Sequence, residues 1–214
     1  MSVSSTYLLA KSLQIPLYSF SLFLPSIVAG MGYHSTTAQL LTVPPNMAAF
    51  FTVLACAYYS DRLRTRGAFI AAGTIIGAIG YVMLVAAKNN ATRYAGTFLV
   101  AIGVFQGSPM VIGWTSNNLA PHYVRATGVG VVISIANCSA FIGTFIYLKK
   151  DAPHYTLGHS VCLGAMVICF ALTLCQMAYL RWENRKRDRG ERNERLSMDA
   201  WRLGHRHPEF MYTL

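Results

Sequence analysis

Residues 67–87, GAFIAAGTIIGAIGYVMLVAA, run for 21 positions without one Asp, Glu, Lys or Arg. A helix needs about 20 apolar residues to cross the hydrocarbon of a bilayer, so this stretch by itself predicts a membrane span. Charge brackets it on both sides, with Asp61, Arg62, Arg64 and Arg66 before it and Lys88 after it. Four further charge-free stretches, 12–60, 94–124, 126–148 and 152–180, count 49, 31, 23 and 29 residues. The first is long enough for two spans, and GYHSTT at 32–37 supplies the polar turn between them. Six spans are expected, at 9–31, 38–59, 67–87, 94–116, 126–148 and 157–180. Continuous apolar runs, in place of short alternating segments, argue against a membrane β-barrel.

Charge is distributed to match. The chain has 214 residues, a net charge of +10 and a mean hydropathy of +0.39, yet residues 181–214 hold nine of its 18 basic and six of its eight acidic residues. A soluble domain is about one quarter charged, and the first 180 residues fall far below that, which excludes a soluble enzyme or a compact nucleic-acid binder. Two parts are expected: a transmembrane bundle over 1–180 and a charged tail over 181–214. The run from Arg181 to Arg195 mixes both signs without an apolar stripe and reads as a solvated extension of the last helix, with contact to anionic lipid headgroups as the second reading. The five cysteines sit in apolar runs at an odd count, so neither a disulfide framework nor a metal site is expected. No basic segment followed by a cleavage site opens the chain, and the first apolar run is expected to stay in the protein.

Positive loops are retained on the cytoplasmic side of a membrane. The loops after the second and fourth spans, with the tail, carry 13 basic residues, against Lys88, Arg93, Lys149 and Lys150 on the other side. Both termini are therefore expected in the cytoplasm, and the glycosylation triplet Asn90-Ala91-Thr92 in an outside loop.

Polar groups inside a bilayer are costly and mark a pathway or a bundle interior. In the fourth span Gln106, Gly113 and Asn117 share a helical face, with Trp114 and Asn118 beside it; in the fifth, Ser134, Asn137, Phe141 and Thr144 share another. Either face serves equally as interhelical glue. Gly73, Gly77 and Gly80 in the third span and Gly103 with Gly107 in the fourth have the small-residue spacing that lets helix backbones approach. Pro16, Pro25 and Pro109 are expected to kink or break their helices. No Asp or Glu falls at the expected midplane, and His34, His122, His154 and His159 are all expected near a surface. No nucleophile triad, phosphate-cradling loop or metal-ligand pair is visible, so neither catalysis nor a cofactor is expected.

The segment AYYSDRLRTRG at 57–67 is similar to the cytoplasmic loop motif of the major facilitator superfamily, with Asp61 and Arg62 at its acid and first base. Ala57 and Arg64 stand where that motif prefers Gly. PLYSFSLFLPSI (16–27), QLLTVPP (39–45), GWTSNNLAPHYVRATGVG (113–130), DAPHYTLGHSVCLG (151–164) and RLGHRHPEFMYTL (202–214) resemble the fungal anion:cation symporter branch, the allantoate and nicotinate permease-like family. Departures include the lone Arg125 beside Ala126, where members carry a basic pair, and His205 and Met211 in the ending.

The resemblance implies an all-α fold of six transmembrane helices, the C-terminal half of a twelve-helix transporter. It implies proton-coupled uptake of a small organic anion or vitamin of nicotinate, allantoate or pantothenate type. The first and fourth spans would surround the cavity, joined by the second and fifth. Tyr18, Gln106, Trp114, Asn118 and Asn137 are then expected to face substrate, and Asp61, Arg62, Arg66 and Arg125 to serve gating. The partners implied are the lipid bilayer, the anion, and an N-terminal six-helix half or a second half-transporter, with no nucleic acid; the membrane implied is the plasma membrane. The isolated half would present one wall and transport little. The rival reading is a truncated or modulatory membrane protein that does not transport.

Overall fold

A computed structural model describes residues 3–33, 35–147, 155–192, 194 and 203–214. The described residues are helical apart from turns and the C-terminal segment: α1 Val3–Ala29, α2 Ser35–Leu40, α3 Val43–Leu63, α4 Arg66–Ala86, α5 Asn90–Phe105, α6 Gly107–Asn117, α7 His122–Asn137, α8 Ser139–Ile146 and α9 Thr156–Asp188. Joined across their short breaks they make six membrane-length helices, Thr6–Ala29, Thr36–Leu63, Arg66–Ala86, Asn90–Asn117, His122–Ile146 and Thr156–Asp188. The protein is a multi-pass integral membrane protein, with every expected span in place to within a few residues except the last, which runs eight residues further.

The breaks have causes in the backbone. Pro109 has no N–H to give to the carbonyl of Phe105, and α5 ends at that residue. Pro44 and Pro45 sit in the first turn of α3, where a missing N–H costs nothing, and the helix restarts there. Pro16 and Pro25 do not break their helix: both lie inside α1, which continues through them. α5 begins early because the Asn89 side chain accepts from Ala91 N at 3.1 Å and caps it. That earlier start carries Arg93, expected as a loop charge, one turn into the helix, where it is only 3% exposed. It also puts Asn90 of the glycosylation triplet on the helix, and its Nδ2, the atom a glycan would take, donates to Met31 O at 2.7 Å.

Packing centres on α4, α5 and α9 on one side and on α1, α7, α8 and α9 on the other. The α4–α5 contact is backbone on backbone. A Cβ placed on Gly103 would lie 2.3 Å from Gly77 N, and one on Gly80 would lie 2.7 Å from Val100 N, closer than atoms can approach. Gly107 instead admits Leu13 of α1. Phe20, Leu24 and Ile27 of α1 join Tyr81, Val100 and Met166 in the buried core. His159, expected near a surface, is one turn into α9 and fully buried, sharing a 2.9 Å hydrogen bond with Tyr147 OH. His34, Lys149, Lys150, Asp151 and His154 lie outside the described residues. The outer face of α3 is bare: Phe50, Phe51, Leu54, Tyr58 and Tyr59 are each more than half exposed.

Candidate functional site

At mid-depth, α1 and α7 are joined through polar side chains. Tyr18 OH donates to Asn137 Oδ1 at 2.6 Å. Beside this bond a cavity of about 180 Å³ opens between α1, α6 and α7, lined by Gln14, Ser108, Asn137 and an apolar wall that includes Leu13, Val111 and Val132. Gln14 is one turn from Tyr18 on the same face of α1, and its Oε1 is buried without a hydrogen-bond partner among the described residues. Sequence reasoning passed over it; a lone amide in an apolar span, four residues from a chosen tyrosine, was the signal. Asn137 and its companions Ser134, Phe141 and Thr144 are all exposed on the outer face of α7 and α8. Ser134 and Thr144 spend their hydroxyls on their own helices, donating to Gly130 O at 2.9 Å and Ala140 O at 2.8 Å.

Three of the five expected substrate contacts lie elsewhere. Gln106 is buried against α4, its Nε2 donating to Phe69 O at 3.2 Å. It fills the space that Gly73 leaves open, since a Cβ there would lie 1.8 Å from that nitrogen. The break before α6 separates its direction from the rest of the face. Trp114 and Asn118 point to the other end of the molecule, where the chain terminates. Trp114 Nε1 and Asn118 Nδ2 both donate to Thr213 O, at 2.9 and 3.0 Å, and Asn118 Oδ1 accepts from Thr213 N at 2.9 Å.

The C-terminal segment 203–214 is thus docked against the bundle, and Glu183 and Arg187, within the run expected to be a solvated extension of the last helix, are buried. Two asparagines read its backbone from opposite sides. Asn118 holds Thr213, and Asn184 of α9 donates to Tyr212 O at 2.8 Å while accepting from Tyr212 N at 3.0 Å. Arg187, 7% exposed, reaches the carbonyls of His205, His207 and Phe210 and the Tyr212 hydroxyl, and its guanidinium lies 4.3 Å from the Tyr212 ring centroid. Glu183 balances it, pairing with Arg187 at 3.5 Å and with Arg192 at 3.1 Å. His205 N donates to Ala120 O, and the His205 ring makes a 2.9 Å contact to the same oxygen. Burial pushes the His205 pKa below its ordinary value; the hydrogen bond to Ala120 opposes it, and the charges of Arg206 and Arg187 add a smaller push in the same direction as burial.

The expected gating residues share this tail end but do not act as one group. Asp61 pairs with Arg66 across the α3–α4 turn. The Arg66 guanidinium then presses on α6 at Gly113, where a Cβ would lie 1.6 Å from Nη1. Arg62 turns back to Tyr58 OH of its own helix at 3.4 Å, and Arg125 Nε donates to Leu119 O at 3.0 Å in the α6–α7 turn. Arg64 has φ +52°, a left-handed conformation that costs a side chain about 1–2 kcal/mol, which explains why a glycine suits that position. Ser60, Asp61, Arg64, Arg66, Asn117 and Thr213 enclose a pocket of about 290 Å³, so the charged turn and the end of the tail border one space.

No family model matches the chain. Over 92% of its length it is 35% identical to an uncharacterized transporter of Schizosaccharomyces pombe, of which it covers 39%. It is 30% identical over 91% of its length to a high-affinity nicotinic acid transporter of Saccharomyces cerevisiae, covering 37% of that protein. An MFS-type transporter of Penicillium expansum is 32% identical over 72% of the chain, which covers 31% of it. The chain spans less than half the length of each of these curated relatives, and all three are named as transporters, not enzymes.

Proposed function

We propose that this chain forms one six-helix wall of a transporter for a small organic anion of the nicotinate type, with its tail end in the cytoplasm. The observation that carries the reading is the Tyr18–Asn137 bond beside the cavity between α1, α6 and α7, on a face whose further polar residues are exposed. A phenol, two amides and a hydroxyl offer hydrogen bonds to a planar carboxylate. Alternating access requires a second bundle rocking about a midplane site. The bare apolar face of α3 and the exposed outer face of α7 and α8, where Phe141 and Phe145 are 71% and 74% exposed, are where that bundle would sit. Among the described residues every carboxylate lies at the tail end. Proton coupling, which commonly uses a buried carboxylate, is accordingly assigned to the partner half.

The test is uptake of labelled nicotinate and allantoate by cells producing the chain together with the N-terminal portion of the Saccharomyces cerevisiae nicotinic acid transporter that it does not match. Uptake requiring both halves, lowered about tenfold or more by Tyr18→Phe or Asn137→Ala at equal membrane amounts, is the expected result. Equal uptake by the chain alone defeats the half-wall reading. Uptake insensitive to both substitutions defeats the assigned site.

A further inference from the structure

A further hollow at the tail end has no part in that pathway. It measures about 640 Å³ and lies between the start of α1, the start of α7, the end of α9 and the docked segment. Its floor is apolar, with Leu119, Val124, Val131 and Val132, and tyrosines 7, 123 and 179 stand around it. Three guanidiniums line it, those of Arg187, Arg192 and Arg206, against the single carboxylate of Glu183. The balance among these groups is two positive charges. Arg187 and Arg192 already share Glu183, and Arg192 Nε is buried with no acceptor among the described residues.

The position matches the charge. The helices that line the hollow, with Thr115 of α6 among them, reach it near the ends of their membrane-length segments, the depth at which a leaflet changes from acyl chain to headgroup and where tyrosines concentrate. The volume far exceeds what one phosphate needs, and valines continue the hollow down α7. Basic pockets between transmembrane helices hold the phosphates of anionic lipids, since guanidiniums supply planar pairs of donors.

We propose that this hollow is a binding site for an anionic phospholipid of the tail-side leaflet, with the headgroup phosphate on Arg192 and Arg206 and an acyl chain along Val131 and Val132. The docked C-terminal segment completes the site, because it contributes Arg206 and holds Arg187 in place. The lipid in turn bridges α7, α9 and the segment.

The experiment is native mass spectrometry of the full purified chain, titrated with phosphatidylinositol 4-phosphate and with phosphatidylcholine. Selective retention of the first is expected, with binding at least about tenfold weaker in Arg192→Gln/Arg206→Gln. The equal-charge control Arg181→Gln/Arg185→Gln, on exposed positions of α9 outside the hollow, should bind as the parent does. Arg206→Gln alone, at an exposed position, should show an intermediate loss even if Arg192 proves necessary for folding. Equal loss in both double variants would overturn the site in favour of general charge attraction. Equal retention of phosphatidylcholine would overturn the role of the anionic headgroup. Displacement by millimolar inorganic phosphate would overturn the lipid as the source of the phosphate.

Discussion

α3 and α4 follow one another in the chain, both 21 residues long and both apolar enough to span a bilayer, yet they meet opposite surroundings. α4 buries Gly67, Gly73, Gly77 and Gly80 against α5, α6 and α9, whereas α3 turns eight large apolar or aromatic side chains outward, Phe50, Phe51, Tyr58 and Tyr59 among them. Hydropathy sets length and environment for both and distinguishes neither. What separates them is side-chain size: small residues at a spacing of three and four let another backbone come close, while rings on a helix face keep every backbone at a distance. The glycine face of α4 is covered by other helices of this chain, whereas the aromatic face of α3 is left bare by the described residues.

The largest expected effect breaks the covered side. Gly103→Val puts a side chain 2.3 Å from Gly77 N and 2.5 Å from Gly73 O, and a backbone cannot move aside as a side chain can. The cost should be about 3 kcal/mol or more. In detergent, the variant is expected to lose most of its monodisperse fraction and its cooperative melt. A melt within a degree or two of the parent would mean that α4 and α5 are not in backbone contact.

A second, smaller effect concerns the tail end. Asn118→Ala leaves Thr213 N without its acceptor and Thr213 O with Trp114 Nε1 alone, a loss of about 1–3 kcal/mol. Its consequence should be local. Carboxypeptidase should release residues from 203–214 faster by about tenfold while the melt of the bundle stays put. Unchanged digestion would show that the asparagine clasp does not hold the segment.

A third effect is set by pH and is smaller again, below about 1 kcal/mol. The folded pKa of His205 is lowered from 6.5, so the docked state resists taking up a proton that the undocked state accepts. Docking is therefore at full strength above about pH 6.5 and weakens as pH falls through the lowered value. The groups around the ring act together with it: Arg206 and Arg187 oppose its protonation, and the Ala120 carbonyl favours it. Spin labels at the exposed positions Arg181 and Met211 should report a smaller docked population at pH 5.5 than at pH 7.5. His205→Asn should flatten that difference; an equal pH response in the variant would assign the effect to another group.

Much of this architecture is legible from spacing between charges. The six spans follow from it; the close approach at Gly73, Gly77 and Gly80 follows instead from the spacing of small residues. The site is less legible, because helical periodicity says which residues share a face and not what that face meets. Spacing put Gln106 on one face with Trp114 and Asn118 beside it, yet the break at Gln106 sends the first into α4 and leaves the other two beside Thr213. The tail was hidden for a different reason. Glu183 and Arg187 look like any exposed pair at i and i+4, and the partners that bury Arg187 are largely main-chain carbonyls, which leave no mark in a sequence. Asn137 stands out by helical spacing with Ser134, and Tyr18 only through the family resemblance; their hydrogen bond joins α1 to the last residue of α7, just before the α7–α8 break.

The smallest expected effect sharpens the comparison from the open side. Phe51 is 63% exposed on α3, so Phe51→Ala removes little that this chain buries, and its own melt should move by no more than about 0.5 kcal/mol. A Leu or Phe removed from the packed interior costs about 2–5 kcal/mol by contrast, through lost contacts and the cavity left behind. If the α3 face receives a second bundle, that silence should end once a complementary half is present. Phe50→Ala/Phe51→Ala should then lower recovery of the two halves as a complex several-fold while leaving the chain alone unaffected. Unchanged recovery would mean that α3 faces lipid in the assembly too, and that the partner, if it docks, uses α7 and α8 only.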